Sequence, residues 1–309
     1  MNESQLLERC KPVPTKERIV FHSNVQYGFS KILREMAFYP KFLPICAYFE
    51  HSSPPFYDEM WEINREFLTD IFFHRKDFAE QWNQKFKPKN KATARTFTSP
   101  FVWYKEKKKI SVSETAKGSI FFIHHTRQDV EREHDKLKII EKLKSLDKTF
   151  QPVTFCFYYL DILKGLHKEY EELGFSIITV GTKENPNYIE EFYKLVRDYK
   201  YALTNSIGGH LLFSVNLGIP VSYFEDLEPK HVSNIVGFED SRVRLRKSAI
   251  YQEAKQLFQG ENTSIDDNQM QFVNKMLGVK KGTTRFKLML LLYKSLISYL
   301  IFRLKKKTR

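Results

Sequence analysis

Apolar and polar positions alternate in blocks between residues 118 and 224, and the period within each block identifies its element. Residues 118–123 (GSIFFI), 153–159 (VTFCFYY), 175–180 (FSIITV), 201–204 (YALT) and 219–224 (IPVSYF) are short β-branched or aromatic runs, which predict buried strands. Residues 129–146 carry apolar positions at helical spacing among charges. Residues 161–173 read as a second helix closed by Gly174, since glycine enters the left-handed backbone that ends helices without strain. Residues 187–199, opened by Pro186, and residues 208–217, closed by Gly218, predict two more. Strands alternating with helices predict a parallel sheet covered on both faces.

The first hundred residues are less regular. Residues 18–21 (RIVF), 44–49 (PICAYF) and 71–73 read as strands, with helices over 25–38 and 77–86 and a basic polar linker over 87–93. Beyond residue 224 the pattern is helical, with a loop over 259–267. The expected fold is therefore α/β with two Rossmann-like lobes and a helical tail. An N-terminal lobe covers 1–112, a nucleotide-type domain covers 113–245 and a helical C-terminal region covers 246–309.

The tail from Arg285 to Arg309 is apolar between Leu288 and Phe302, yet Lys287, Lys294, Ser298 and Lys305 recur seven, four and seven residues apart. That spacing places them on one side of a helix. The apolar run is short of the roughly 20 residues a bilayer span needs. A helix lying in the interface of an anionic membrane fits, and a core helix with a solvated end is the alternative.

Composition sharpens this picture in two ways. The net charge of +13 calls for a polyanionic neighbour, and much of the excess sits in the tail. The three cysteines, Cys10, Cys46 and Cys156, lack metal-type spacing, which argues for a reducing compartment without a disulfide framework. The N-terminal residues show no signal-peptide apolar core, so a cytoplasmic location is expected.

In a parallel α/β sheet, ligands bind outside the carboxyl ends of the strands. Four loops arrive there. His124, His125, Thr126 and Arg127 follow the first strand of the run, where imidazoles, a hydroxyl and a guanidinium suit a phosphate or carboxylate. Thr126 capping a helix is the plainer reading. Gly181 and Thr182 follow the third strand and either border a base or ribose or form a simple turn. Thr204, Asn205, Ser206 and Gly208 follow the fourth strand and offer hydroxyls and backbone N–H groups to a phosphate, without the Lys-Ser/Thr ending of a P-loop. Glu225 follows the fifth, as a ribose contact or a solvated turn residue. In the front lobe, Glu50 and His51 end a strand and are candidate general bases.

The strand ending Phe122-Ile123-His124-His125-Thr126, the run from Phe150 to Tyr158, and the stretch Thr204-Asn205-Ser206-Ile207-Gly208 through Leu217-Gly218-Ile219-Pro220-Val221 together resemble a family of bacterial capsule and O-antigen biosynthesis proteins. These are built like GT-B glycosyltransferases. The likeness spans about residues 18 to 225; the family tends to Pro and Ser where Ile123 and His124 stand here.

The resemblance implies a nucleotide-sugar donor in the rear lobe, its phosphates held by Ser206, the backbone after it, and His125 or Arg127. It implies a membrane-associated saccharide acceptor, lipid-linked or lipid A-linked, served by a base from the front lobe. No Asp-x-Asp metal motif stands out, so the expected chemistry uses no metal and no other cofactor. The expected location is the inner face of the cytoplasmic membrane. A phosphopolyol transferase or sugar-nucleotide epimerase is the enzymatic alternative. A non-catalytic nucleotide- or polyanion-binding protein is the other, with nucleic acid the less favoured ligand.

Overall fold

The structure, a computed structural model, describes residues 1–14, 17–51, 56, 60–126, 130–232, 238–280 and 283–307, the side chains of 238–242 excepted. It is an α/β protein with two compact units. Unit 1 comprises Met1–Val13, Lys109–Thr182 and Glu190–Phe272; unit 2 comprises Pro14–Lys108, Lys183–Ile189 and the chain from Val273 onward. The region expected as a separate helical end, 246–309, is thus shared between the two.

The chain begins in unit 1 with α1 (Glu3–Arg9), whose start is fixed by a capping box between Asn2 and Gln5. It then builds unit 2 from α2 (Phe29–Ala37), β1 (Tyr48–Phe49), β2 (Asp70–Phe73), α3 (Lys76–Phe86), β3 (Thr93–Thr96) and α4 (Pro100–Lys108). The three strands form a parallel sheet in the order β1-β2-β3. Phe49 and Phe72 stack across the first pair at 4.5 Å, and Ile71 and Phe73, alternating with Phe72, pack with Phe78 and Trp82 of α3. β3 begins at the end of the stretch expected as a linker, 87–93, and α4 lies where no element was expected. The strand expected over 18–21 does not form. Phe21 instead packs edge-on to Tyr48 at 5.5 Å. The helix expected from Val25 starts four residues later, because Tyr27 and Gly28 take left-handed backbone (φ 56 and 72).

Unit 1 continues with β4 (Ser119–Phe122), β5 (Glu131–Glu133), α5 (Lys136–Ser145), β6 (Val153–Cys156), α6 (Tyr159–Leu163), α7 (Lys168–Glu172), β7 (Ser176–Ile178) and α8 (Tyr188–Val196). There follow β8 (Tyr201–Thr204), α9 (Gly209–Leu217), β9 (Val221–Tyr223), β10 (Lys230–Val232), α10 (Phe238–Lys247) and α11 (Ala249–Phe258). Within α12 (Asp267–Met276) the chain passes to unit 2, where it ends in α13 (Arg285–Lys307).

Five strands of unit 1 form a parallel sheet in the order β7-β6-β4-β8-β9. Central β4 is buried at every position, as a sheet covered on both faces requires. Phe121 and Ile123 pack with Leu6 of α1 and Ile139 and Leu143 of α5. On the other face Phe122 stacks on Phe192 of α8, which meets Phe213 of α9.

Two of the expected helices take a different form in the structure. The one over 129–146 begins only at Lys136; residues 131–133 are a strand paired antiparallel with β10. The one over 161–173 is broken into α6 and α7 around Gly165 at φ 74.

Helix α13 differs from a simple amphipathic tail. Leu288, Leu291, Leu292, Ser295, Leu296 and Tyr299 are buried within unit 2. Ser295 bonds Thr69 at 2.9 Å, Lys294 reaches buried Asp70 at 3.3 Å, and Ser298 donates to the Phe67 carbonyl at 2.8 Å. No described helix is long and apolar enough to cross a membrane.

Candidate functional site

Numbered by sequence within the sheet, the strand order of unit 1 is 3-2-1-4-5, so the direction of winding reverses between β4 and β8. At such a reversal the connections leave in opposite directions and open a crevice at the strand ends. The loops after β4 and β8 both arrive there, and one side chain ties them together. Asn205 accepts from the His124 amide at 2.7 Å and donates to the Leu227 carbonyl at 2.8 Å. Its amide also lies 3.3 Å from His134 Nδ1, while His134 Nε2 lies 2.9 Å from the His124 carbonyl. An amide NH₂ only donates and a carbonyl only accepts, so His134 carries its proton on Nε2. Burial lowers its pKa to about 4, which keeps it neutral.

Beside this knot lies a cavity of about 180 Å³ whose polar lining includes His124, Thr126, Arg132, His134, Asp161 and Tyr170. That is smaller than the roughly 300–1,000 Å³ of pockets enclosing a drug-sized ligand, and suits a phosphate-sized group. Asp161 is buried and accepts from both the amide and the hydroxyl of Thr126. Burial raises the Asp161 pKa, against the two Thr126 bonds that lower it. The Tyr170 hydroxyl and His124 Nδ1 are buried without a hydrogen-bond partner. Burial, with Arg132 and the neighbouring histidines acting in the same direction, holds His124 well below the usual imidazole range. The His124 ring lies 5.1 Å from that of His231, which pairs opposite Arg132 in the β5–β10 ribbon. At neutral pH the cavity therefore sets the neutral imidazoles of His124 and His134 beside two cations, Arg132 and Lys136, the latter paired with Glu169.

The sequence-predicted residues divide accordingly. His124, Thr126 and Asn205 stand at the crevice. His125 is exposed and packs on Tyr158 with ring centres 4.5 Å apart. Arg127 lies outside the described residues. Thr204 and Ser206 are turned inward: Thr204 Oγ1 accepts from the Ser206 amide at 3.1 Å, and His210 Nε2 closes over both, 2.8 Å from Thr204 Oγ1 and 3.2 Å from the Ser206 carbonyl. Gly208 precedes α9 and a Cβ there would meet the His210 ring at 3.1 Å. Gly181 and Thr182 follow β7, two strands from β4. Gly181 is required by the α1 segment, since a Cβ would lie 2.7 Å from the Arg9 carbonyl. Glu225 pairs with Lys255 at 2.7 Å.

Glu50 and His51 belong to the carboxyl end of the unit 2 sheet. Glu50 is buried, accepts from the His74 amide at 2.8 Å and is pushed by burial up to about 8. It is thus protonated at neutral pH. His51 is half-buried, its Nε2 2.6 Å from the Gln26 side-chain oxygen, so Nε2 bears the proton. Burial lowers its pKa to about 4.

Arg132, His134 and Asp161 escaped the sequence reading. The first two sit in Val130-Glu131-Arg132-Glu133-His134, whose alternating exposure marks a strand with period two inside what reads as a helix. As to metal ligands, Glu3, His167 and Glu171 bring ligand-type atoms within 4.8 Å of one another. The Glu3–His167 contact of 3.0 Å already serves to hold α1 to the α6–α7 connection. No protein-family model matches the chain, and no curated protein is significantly similar to it.

Proposed function

We propose that the protein is a GT-B-type glycosyltransferase of bacterial surface-polysaccharide synthesis, with unit 1 as donor lobe and unit 2 as acceptor lobe. A donor phosphate is assigned to the crevice between the ends of β4 and β8. The observation that carries this is the reversal of strand order at β4 and β8, with Arg132 and the unpartnered His124 Nδ1 lining a phosphate-sized cavity beside it. Arg132 supplies the charge that stabilises both the bound and the leaving phosphate, and His124 the added hydrogen bond. In unit 2 the proton-accepting role is given to His51 rather than Glu50. His51 is unprotonated at pH 7 and so able to accept a proton, whereas Glu50 holds its proton up to about pH 8. The acceptor is a membrane-associated saccharide, and the protein works at the inner membrane face.

The test is thermal unfolding of the protein with UDP, GDP, CMP, CDP and dTDP and their sugars. One nucleotide at roughly 100 times its Kd should raise Tm by about 4–8 °C. Arg132→Ala should weaken that nucleotide about tenfold or more while the ligand-free melt stays cooperative. No shift with any member of the panel would overturn the donor-lobe reading and leave a non-catalytic binding protein.

A further inference from the structure

Helix α13 has two apolar faces. The inner one carries the side chains buried in unit 2, with Leu288, Leu292, Leu296 and Tyr299 among them. On the opposite side Phe286, Leu290, Ile297, Leu300 and Ile301 are exposed, from 48% for Leu300 to 68% for Phe286. At 3.6 residues per turn these outward positions form a stripe about 100° wide. Exposed Lys287 and Lys294 border it on one side, and exposed Arg285 and Arg303 on the other. The turn over residues 38–43 lies alongside. Tyr39 meets Tyr293 with ring centres 5.3 Å apart, and Arg285 stacks over the Phe38 ring at 3.1 Å. From that turn Phe38 and Phe42 project, 67% and 85% exposed.

We infer that this face of unit 2 docks on an anionic lipid surface, with α13 lying in the plane of the interface. Scattered exposed apolar residues need no explanation, but a continuous stripe rimmed by charge of one sign does. The sign of that rim selects the occupant. The helix RFKLMLLLYKSLISYLIFRLKKK contains no acidic residue, so a second copy laid against the stripe would bring lysines and arginines against lysines and arginines. Lys294 already reaches Asp70, so anionic headgroups meet Lys287 on one flank and Arg285 and Arg303 on the other while the acyl region takes the stripe. The unbroken inner face explains how the helix stays anchored to the protein while the outer face is offered to lipid. The geometry thus assigns a part of unit 2 to membrane contact independently of whether unit 1 binds a nucleotide.

The test is flotation of the full chain with vesicles of phosphatidylcholine alone and with about one third phosphatidylglycerol, at low and high salt. Wild type should float with the anionic vesicles, remain behind with the neutral ones, and release as salt screens the attraction. Replacing Leu290, Ile297 and Ile301 together by Ser should reduce binding to the anionic vesicles by about tenfold or more, since each loses its buried apolar area. Phe42→Ser should reduce it as well. These side chains face solvent, so thermal unfolding should be unchanged, and a lower melting temperature would be met by Phe42→Ser and by Lys287→Glu as milder variants. Failure of wild type to float at low salt would overturn the inference, as would full binding by the triple variant. Dimers of wild type that become monomers in the triple variant, without flotation of either, would overturn it in favour of a second copy. Nucleotide-induced thermal shifts in the triple variant report on the donor site separately.

Discussion

The side-chain oxygen of Asn205 lies 2.7 Å from the backbone nitrogen of His124, so the loop after β8 holds the loop after β4 in register at the reversal of the sheet. Asn205 is fully buried, and its amide is also spent on the Leu227 carbonyl. Asn205→Ala strands a buried N–H and a buried C=O at once. Each unsatisfied group costs about 1–3 kcal/mol. The variant should therefore lose about 2–6 kcal/mol in urea unfolding. It should also lose affinity for whichever nucleotide shifts the wild-type melt, because the crevice walls are no longer tied. Asn205→Asp should not rescue it, since a carboxylate cannot donate to Leu227.

Glu50 yields a pH signature. Its folded pKa is about 8 and its ordinary value 4.5, with burial the main cause. A carboxyl raised in this way contributes fully below pH 4.5, and the contribution is lost as pH rises towards 8. Glu50→Gln keeps an oxygen for the His74 amide and removes the titration. Its stability relative to wild type should grow by about 1.4 kcal/mol per pH unit between roughly pH 5 and 7.5. Chemical denaturation at four pH values checks this, and a parallel pair of curves would show that Glu50 is ionised in the folded chain.

His74, whose amide makes that bond, titrates in the opposite sense. It is fully buried, and burial lowers its pKa from 6.5 to about 3. Its contribution is therefore complete above pH 6.5 and is lost as pH falls towards 3. Between about pH 4.5 and 6.5 the contributions of the two groups offset each other, so wild type should show a shallower profile there than Glu50→Gln. Measured against a Glu50→Gln/His74→Gln double variant, the Glu50→Gln protein should lose about 1.4 kcal/mol for each pH unit below 6.5. His74→Gln should remove that share of the slope and leave the part due to the other histidines lowered by burial.

The sheet of unit 1 was legible because β4, β6, β8 and β9 are continuous apolar runs, each bounded by Gly, Pro or a polar turn. β5 was hidden because Glu131 and Glu133 point to solvent and its partner β10 lies far along the chain; no local pattern announces such a pairing. β3 was missed for a similar reason. Thr93-Ala94-Arg95-Thr96 is half polar, and Arg95 is there to meet buried Asp70 at 2.7 Å. The places of His124 and Asn205 at the edge of the sheet were readable because they closely follow β4 and β8 along the chain. Asp161 was not, since its place beside Thr126 depends on where α6 starts. For the loop over 204–210, the sequence pattern suggested backbone donors for phosphate. In the structure, Ser206's donor is taken by Thr204, an internal closure that residue types alone do not reveal.

Gly174 and Gly181 allow the cost of a left-handed backbone to be separated from the cost of a collision. Both have positive φ, 87 and 99. A Cβ at Gly174 meets nothing within 4 Å, whereas at Gly181 it lies 2.7 Å from the Arg9 carbonyl. Gly174→Ala should therefore incur only the backbone term, about 1–2 kcal/mol. Gly181→Ala carries the same term and must also displace the end of α1, whose Leu6, with Cys10 just after the helix, enters the core. Its loss should exceed that of Gly174→Ala by about 1–3 kcal/mol, the usual range for forced overpacking. Urea unfolding of the two variants provides the comparison. Equal losses would mean that the α1 segment yields freely, and that Gly181 serves the turn after β7 rather than the docking of the N-terminal helix.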